Sequence, residues 1–215
     1  LAKYPRTLDT DVEKIKTVST EIIVYAPSVN DIYEGKTISQ HFNYDGIENQ
    51  MEGKFRPGHF DGVGTIVKRL FEIVQPTHAY FGEKDFQQLQ IVKKLVSKYN
   101  IPVKVIGCPI YRETNGLAMS SRNERLSKTE REKAELIFET LNHAKQLFGT
   151  KSAKEVSQWV TNAFAKQQLF ELEYFQIADE ETLLPCVRKT KSKKYRAFIA
   201  VFVNNIRLID TISLN

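Results

Sequence analysis

β-Prone segments at 21–26, 77–81 and 102–107 alternate with stretches of helical apolar periodicity, and no other feature of the sequence restricts its fold as tightly. Strands joined through helices cannot pair as hairpins, so they run parallel with crossover connections. Val63, Val67, Leu70, Phe71 and Val74 predict a helix over 60–74 that ends before Pro76, followed by a strand at 77–81 and a tight turn at 82–85. Asp85 is expected to cap the next helix, which carries Leu89, Val92, Leu95 and Val96 and leads to the strand at 102–107. Upstream, residues 1–6 read as loop and Leu8, Val12, Ile15 and Val18 as one apolar helical stripe. After the strand at 21–26, the stretch up to Gly58, with Gly35, Gly46, Gly53 and Pro57, reads as irregular. The expected class is α/β.

Beyond Gly116 the character changes. Ser127 with Glu130, and Ser152 with Glu155, form two capping boxes, predicting helices that end near Phe148 and Gln168. Trp159 falls on the apolar face of the second and reads as core. Residues 171–178 and 195–212 then alternate as strands, and Asn204-Asn205 suits the positive φ angles of a tight hairpin. These signals divide the chain into a parallel-sheet domain over 1–122 and a small α+β domain over 123–215, and 215 residues suffice for a real core.

Composition narrows the partners only a little. A net charge of +5 permits anionic ligands, whether small molecules or nucleic acid. The densest basic run, 188–196, has six basic residues in nine. It reads as a solvated hairpin loop and not as a nucleic-acid surface, because it lacks interleaved aromatics apart from Tyr195 and lies between strands. Cys108 and Cys186 stand far apart without Cys or His at metal spacing, which argues against a disulfide framework or a zinc site and for a reducing compartment. No apolar run approaches the ~20 residues of a membrane span. A cytoplasmic protein with neither membrane nor nucleic-acid partner is expected. His41, His78 and His143 read as surface or locally hydrogen-bonded, and His59 as structural support at a helix start with a pocket-lining role as the alternative.

Two constellations carry chemistry. Gly82-Glu83-Lys84-Asp85 joins a strand to a helix, where parallel sheets bind ligands and where helix N–H groups and a lysine favour an anion. Met119-Ser120-Ser121-Arg122 follows the turn Asn115-Gly116 in a segment with little regular structure. Two hydroxyls and a guanidinium in succession can wrap nucleotide phosphates, and the loop could close like a lid. Taken alone, either stretch is more often a polar loop or a linker.

Together with Phe55-Arg56-Pro57-Gly58-His59-Phe60-Asp61-Gly62, Tyr4-Pro5-Arg6-Thr7, Tyr80-Phe81-Gly82-Glu83-Lys84-Asp85-Phe86-Gln87-Gln88-Leu89 and Gly116-Leu117-Ala118-Met119-Ser120-Ser121-Arg122-Asn123, these strings resemble the pantoate:β-alanine ligases over almost the whole chain. The resemblance implies a Rossmann-like fold of the nucleotidyltransferase type, and a reaction in which pantoate attacks the α-phosphate of ATP and β-alanine then displaces AMP. ATP with Mg²⁺ and the substrates pantoate and β-alanine are the ligands so implied, and a homodimer the assembly. By motif, Gly82, Glu83, Lys84, Asp85, Tyr111, Met119, Ser120, Ser121 and Arg122 bind ATP, with Lys84, Ser120, Ser121 and Arg122 catalytic, while Gln88 binds pantoate. Tyr111 falls where the family contacts adenine through backbone groups.

Two departures from the family pattern stand out. Thr10 and Asp11 occupy positions where some members have paired aspartates, so no protein metal ligand is assigned. No His-x-Gly-His motif occurs among His41, His59, His78 and His143, so the first strand and its motif are expected to be missing and the chain alone to be inactive. A non-catalytic fragment that retains nucleotide or partner binding is the rival reading.

Overall fold

A computed structural model describes residues 7–33 and 38–215, which leaves Tyr4, Pro5, Arg6 and Gly35 of the sequence reading outside the described residues. The chain divides into two compact units, Leu1–Ser39 and Gln40–Asn215. The first unit holds helices α1 (Leu8–Val18) and α2 (Val29–Tyr33), and α1 buries none of its side chains. Residues 21–26 form no strand, which corrects the sequence reading. Among the described residues no segment offers them a ladder, and Ile23 is 92% exposed. β-Propensity reports fitness for a half-buried sheet, so without a partner it does not by itself make a strand.

In the second unit α3 (Met51–Phe55) and α4 (His59–Val74) lead into β1 (His78–Gly82), then α5 (Phe86–Lys98) and β2 (Lys104–Cys108). β1 and β2 pair in parallel from His78↔Lys104 to Gly82↔Cys108, with α5 as the crossover. The α/β expectation holds on this strand–helix–strand core. Both capping boxes form, opening α6 (Lys128–Lys133) and α8 (Ala153–Phe164). The first predicted helix is broken, however, into α6 and α7 (Glu135–Thr150). Asn115 donates its side-chain amide to the Arg131 carbonyl at 2.9 Å, taking the acceptor that the Glu135 N–H would use in a continuous helix. The second predicted helix stops at Phe164, four residues short of the Gln168 expected, where the chain turns into β3. No glycine or proline marked that stop.

β3 (Phe170–Asp179), β4 (Tyr195–Val203) and β5 (Ile206–Ser213) form an antiparallel meander, and Asn204 turns the β4–β5 hairpin at φ 52. β4 is the shared wall of the unit. Ile199 and Val201 pack with Ile137, Leu141, Val156 and Val160 of the helices, whereas Phe198 packs with Phe86, Leu89 and Phe60 of the parallel half. Trp159 flanks the first cluster, partly buried, and stacks on His143 with ring centroids 4.3 Å apart.

Gly64 shows how closely α4 is packed. A Cβ there would lie 1.9 Å from the Tyr44 hydroxyl and 2.9 Å from the Phe42 ring. Tyr44 is fully buried, and its hydroxyl donates to the Phe60 carbonyl at 3.2 Å. Gly64→Ala is therefore expected to lower the unfolding free energy by ~1–3 kcal/mol, although alanine alone would favour the helix by ~1 kcal/mol. Tyr44→Phe in that background should return part of the loss by removing the nearest atom. Urea unfolding of the single and double variants measures this, and a wild-type midpoint for Gly64→Ala would contradict the packing.

Candidate active site

The parallel strand β1 ends at Gly82 and the chain makes one 3-10 turn, Glu83–Asp85, before α5. Asp85 occupies the N-cap position of α5, but its side chain makes no capping bond, a correction to the sequence reading that leaves the first helical N–H groups without a side-chain acceptor. β5 lies against this turn and also against the 3-10 turn Ser121–Arg125. Two motifs far apart in sequence thereby meet on one strand.

Lys84 stands where they meet. It borders one pocket with Glu52, Arg56, His59, Gln88 and Tyr174, and a second with Ser120, Arg122, Asn123, Arg207 and Asp210. Burial pushes its pKa down, as does Arg122, against the opposing pull of Asp85, Asp210 and Glu52. Among the described residues neither Lys84 nor Arg122 has a carboxylate within ion-pair distance, whereas Arg56, Arg112, Arg196 and Arg207 all do. The structure thus sets Lys84, Asp85 and Gln88 on one pocket and Lys84, Ser120 and Arg122 on the other. Gly82, Glu83, Tyr111, Met119 and Ser121 line neither pocket, and Tyr111 is 76% exposed. The Glu83 carboxylate is engaged elsewhere, accepting from Arg196 at 3.2 Å.

The segment before Ser120 is not the irregular stretch expected. Residues 111–119 fold as a narrow hairpin in which Glu113 N–H donates to Leu117, Met119 N–H donates to Tyr111, and Gly116 turns at φ 87. The Ser120 hydroxyl accepts from the Arg122 N–H at 3.3 Å, starting the 3-10 turn. Asn123 is buried beneath it, donating to Glu113 at 2.7 Å and to the Ala118 carbonyl at 3.1 Å. Its Oδ1 has no partner among the described residues.

Several residues that organise the site were missed in the sequence. Arg207 donates to both Glu52 oxygens, at 2.8 and 2.7 Å, and to Glu173, while the Tyr174 hydroxyl donates to Glu52 at 2.8 Å. Burial raises the Glu52 pKa, but Arg207, Tyr174 and Arg56 outweigh it and hold the carboxyl below its ordinary value. Gln87, the neighbour of Gln88, turns inward and donates to the Ile47 and Gln50 carbonyls at 2.8 Å, ordering the approach to α3. A readable signal existed in Ile206-Arg207-Leu208-Ile209-Asp210-Thr211, where two charges interrupt an apolar strand. The basic run also needs correction at its end. Arg196 is 6% exposed, paired with Glu83 and Glu180, and stacked 4.0 Å over Phe86. Lys189 donates to the Phe148 and Lys151 carbonyls at the end of α7 while staying exposed, as residues 188–194 all are.

Residues 1–213 match the profile of the family described as Pantoate-beta-alanine ligase. The chain is 71% identical to the pantothenate synthetase of Flavobacterium psychrophilum, over 100% of this chain and 76% of that protein. It is 54% identical to that of Christiangramia forsetii, with the same coverage of each. The solved pantothenate synthetase of Thermus thermophilus superposes with a TM-score of 0.90 at 36% identity, over 99% of this chain and 76% of that one. A pantoate-β-alanine ligase from Francisella tularensis, complexed with beta-gamma ATP and β-alanine, superposes at 0.70 with 29% identity, over 98% of this chain and 71% of that one.

His59 lines the pocket, half-buried, so the pocket-lining alternative prevails over structural support alone. Burial lowers its pKa from 6.5, Arg56 and Arg207 add to that, and Glu52 and Asp85 oppose it. The unfolded chain therefore binds this proton more readily than the folded one. Stability contributed by neutral His59 is complete above 6.5 and declines as the pH falls through 6.5 towards the folded value. His59→Gln should flatten that part of the profile, read from urea midpoints across pH ~5 to 8. A His59 resonance titrating at or above its ordinary value in the folded protein would contradict this.

Proposed function

Because the chain belongs to the pantoate-β-alanine ligase family, we propose that it joins pantoate to β-alanine with ATP through a pantoyl adenylate, releasing pyrophosphate and then AMP. A pantoate carboxylate oxygen attacks the α-phosphorus, forming a C–O–P anhydride as the α–β bridging bond breaks. The β-alanine amine then attacks the acyl carbon, the C–O bond to AMP breaks, and the amine proton is lost as the amide forms.

The observation that carries this reading is the convergence on Lys84 of a pocket containing Gln88 and a pocket containing Ser120 and Arg122. Negative charge grows on the phosphate oxygens as the adenylate forms, and preorganised cations without carboxylate partners meet it without reorganisation. Lys84 and Arg122 take this role, Ser120 and Ser121 add hydroxyl donors, Gly82, Glu83 and Asp85 contribute from the turn, Tyr111 and Met119 hold the nucleotide by main chain and loop, and Gln88 orients pantoate. Mg²⁺ enters with ATP as part of that substrate. Residues 1–122 supply the ATP and pantoate side of the site and 123–215 close it, in a cytoplasmic homodimer. No helix of the described residues is long and apolar enough to cross a membrane.

In protein expressed at the full length of its relatives, Lys84→Ala should slow pantoate-dependent pyrophosphate release more than ~10-fold, since one preorganised group is commonly worth a few kcal/mol in the transition state. Undiminished release would remove Lys84 from the mechanism.

A further inference from the structure

Asp210 sits on β5 at the edge of both pockets and is 4% exposed. Its carboxylate accepts a fork from Arg112, Nη1 to Oδ2 at 2.6 Å and Nη2 to Oδ1 at 3.0 Å, and accepts the Thr211 N–H at 2.7 Å. The same guanidinium donates to the Gly116 carbonyl at 3.0 Å and lies 3.8 Å over the Phe138 ring. Arg112 and Gly116 are the root and tip of the hairpin that ends in Ser120 and Arg122, so one carboxylate ties that hairpin to the strand.

Lys84 faces charges on four elements: Asp85 on its own turn, Glu52 from α3, Arg122 from the loop and Asp210 from β5. Glu52 is shared among Arg207, Tyr174 and Arg56, and Asp85 is exposed. Asp210 is the buried acid of the three that borders both pockets with Lys84, in surroundings where a charge acts at longer range than in water.

We propose that Asp210 is a positioning residue for the adenylation step, setting the 120–122 loop through Arg112 and stabilising the Lys84 ammonium across the pockets that both residues line. This rests on the function proposed above. A purely structural role would make Asp210 no more than the anion of a buried ion pair, and such pairs are often replaceable by neutral groups of similar size. The lysine's ionisation separates the two roles.

The test is pantoate-dependent exchange of pyrophosphate into ATP, without β-alanine, in protein of the relatives' full length. Asp210→Asn alone leaves Arg112 without its anion and can unfold the chain, so it is made beside the neutral double variant Arg112→Gln/Asp210→Asn. Both should exchange at least ~10-fold more slowly, with the ATP KM changed less than the rate. Without the carboxylate the ammonium loses stabilisation, so the alkaline limb of the rate should move to lower pH. Asp210→Glu should recover part of the rate. In a Lys84→Arg background, whose guanidinium does not titrate in this range, Asp210→Asn should leave the limb where it is. A double variant with the wild-type rate and alkaline limb would overturn the proposal. If instead the unaltered protein shows no pantoate-dependent exchange, or Lys84→Ala exchanges normally, the function proposed above fails first.

Discussion

Strand β5 carries the two side chains to which the rest of the site is tied. Arg207 reaches Glu52 on α3, and Asp210 receives Arg112 from the hairpin before Ser120. β5 is itself fixed by a continuous antiparallel ladder to β4, from Arg196↔Ser213 to Val203↔Ile206. Removing one partner of a buried pair leaves an uncompensated charge that costs ~3–5 kcal/mol, more than most single packing contacts. Short elements outside the sheet, such as α3 and the hairpin at 111–119, therefore take their placement from it. The site can be preorganised although the motifs that form it lie on turns.

β4 extends the same logic to the turn at Glu83–Asp85. One set of its side chains completes the helical core and Phe198 completes the core around α5, so the strand cannot shift towards either without opening the other. Arg196 on this strand holds Glu83 and stacks on Phe86, the first residue of α5. The turn bearing Lys84 is thus fastened from β4 through Glu83 and packed from below by β5.

What the sequence made legible divides along the range of the interaction. Capping boxes, the helix over 59–74 and the strand–turn–helix around Lys84 are set within a few residues, and they were readable there. Side chains that act across about a hundred residues or more were not, since Arg207 with Glu52, Arg196 with Glu83 and Arg112 with Asp210 gain meaning only once the sheet exists. The break at Ala134 has the same origin, because an asparagine from another segment takes a helical carbonyl. Residues 21–26 fail in the opposite sense: the local preference was read correctly, but a strand requires a neighbour. Glu83 shows a further limit, for a motif residue can keep its place in the chain while its carboxylate is used in packing.

The charge pattern that remains suits the polyanion of the function proposed above. Buried Glu52 and Asp210 are engaged by Arg207 and Arg112, and Glu83 and Glu180 by Arg196. Lys84 and Arg122 then face one pocket without a carboxylate at ion-pair distance, and Arg122 adds to the burial that already disfavours the lysine's charge. Like charges held together in a poorly solvated site raise the energy of the empty state. A polyanion entering between them removes that repulsion and supplies the missing counter-charge, so part of its binding free energy comes from relief of a cost built in by the fold. Neutral ligands of the same shape gain nothing from this term. In the function proposed above, discrimination for a phosphate chain would follow from how the surrounding acids are already paired, and not from the number of basic residues, since the richer basic run at 188–196 partly serves to close α7 and brace the turn at Glu83.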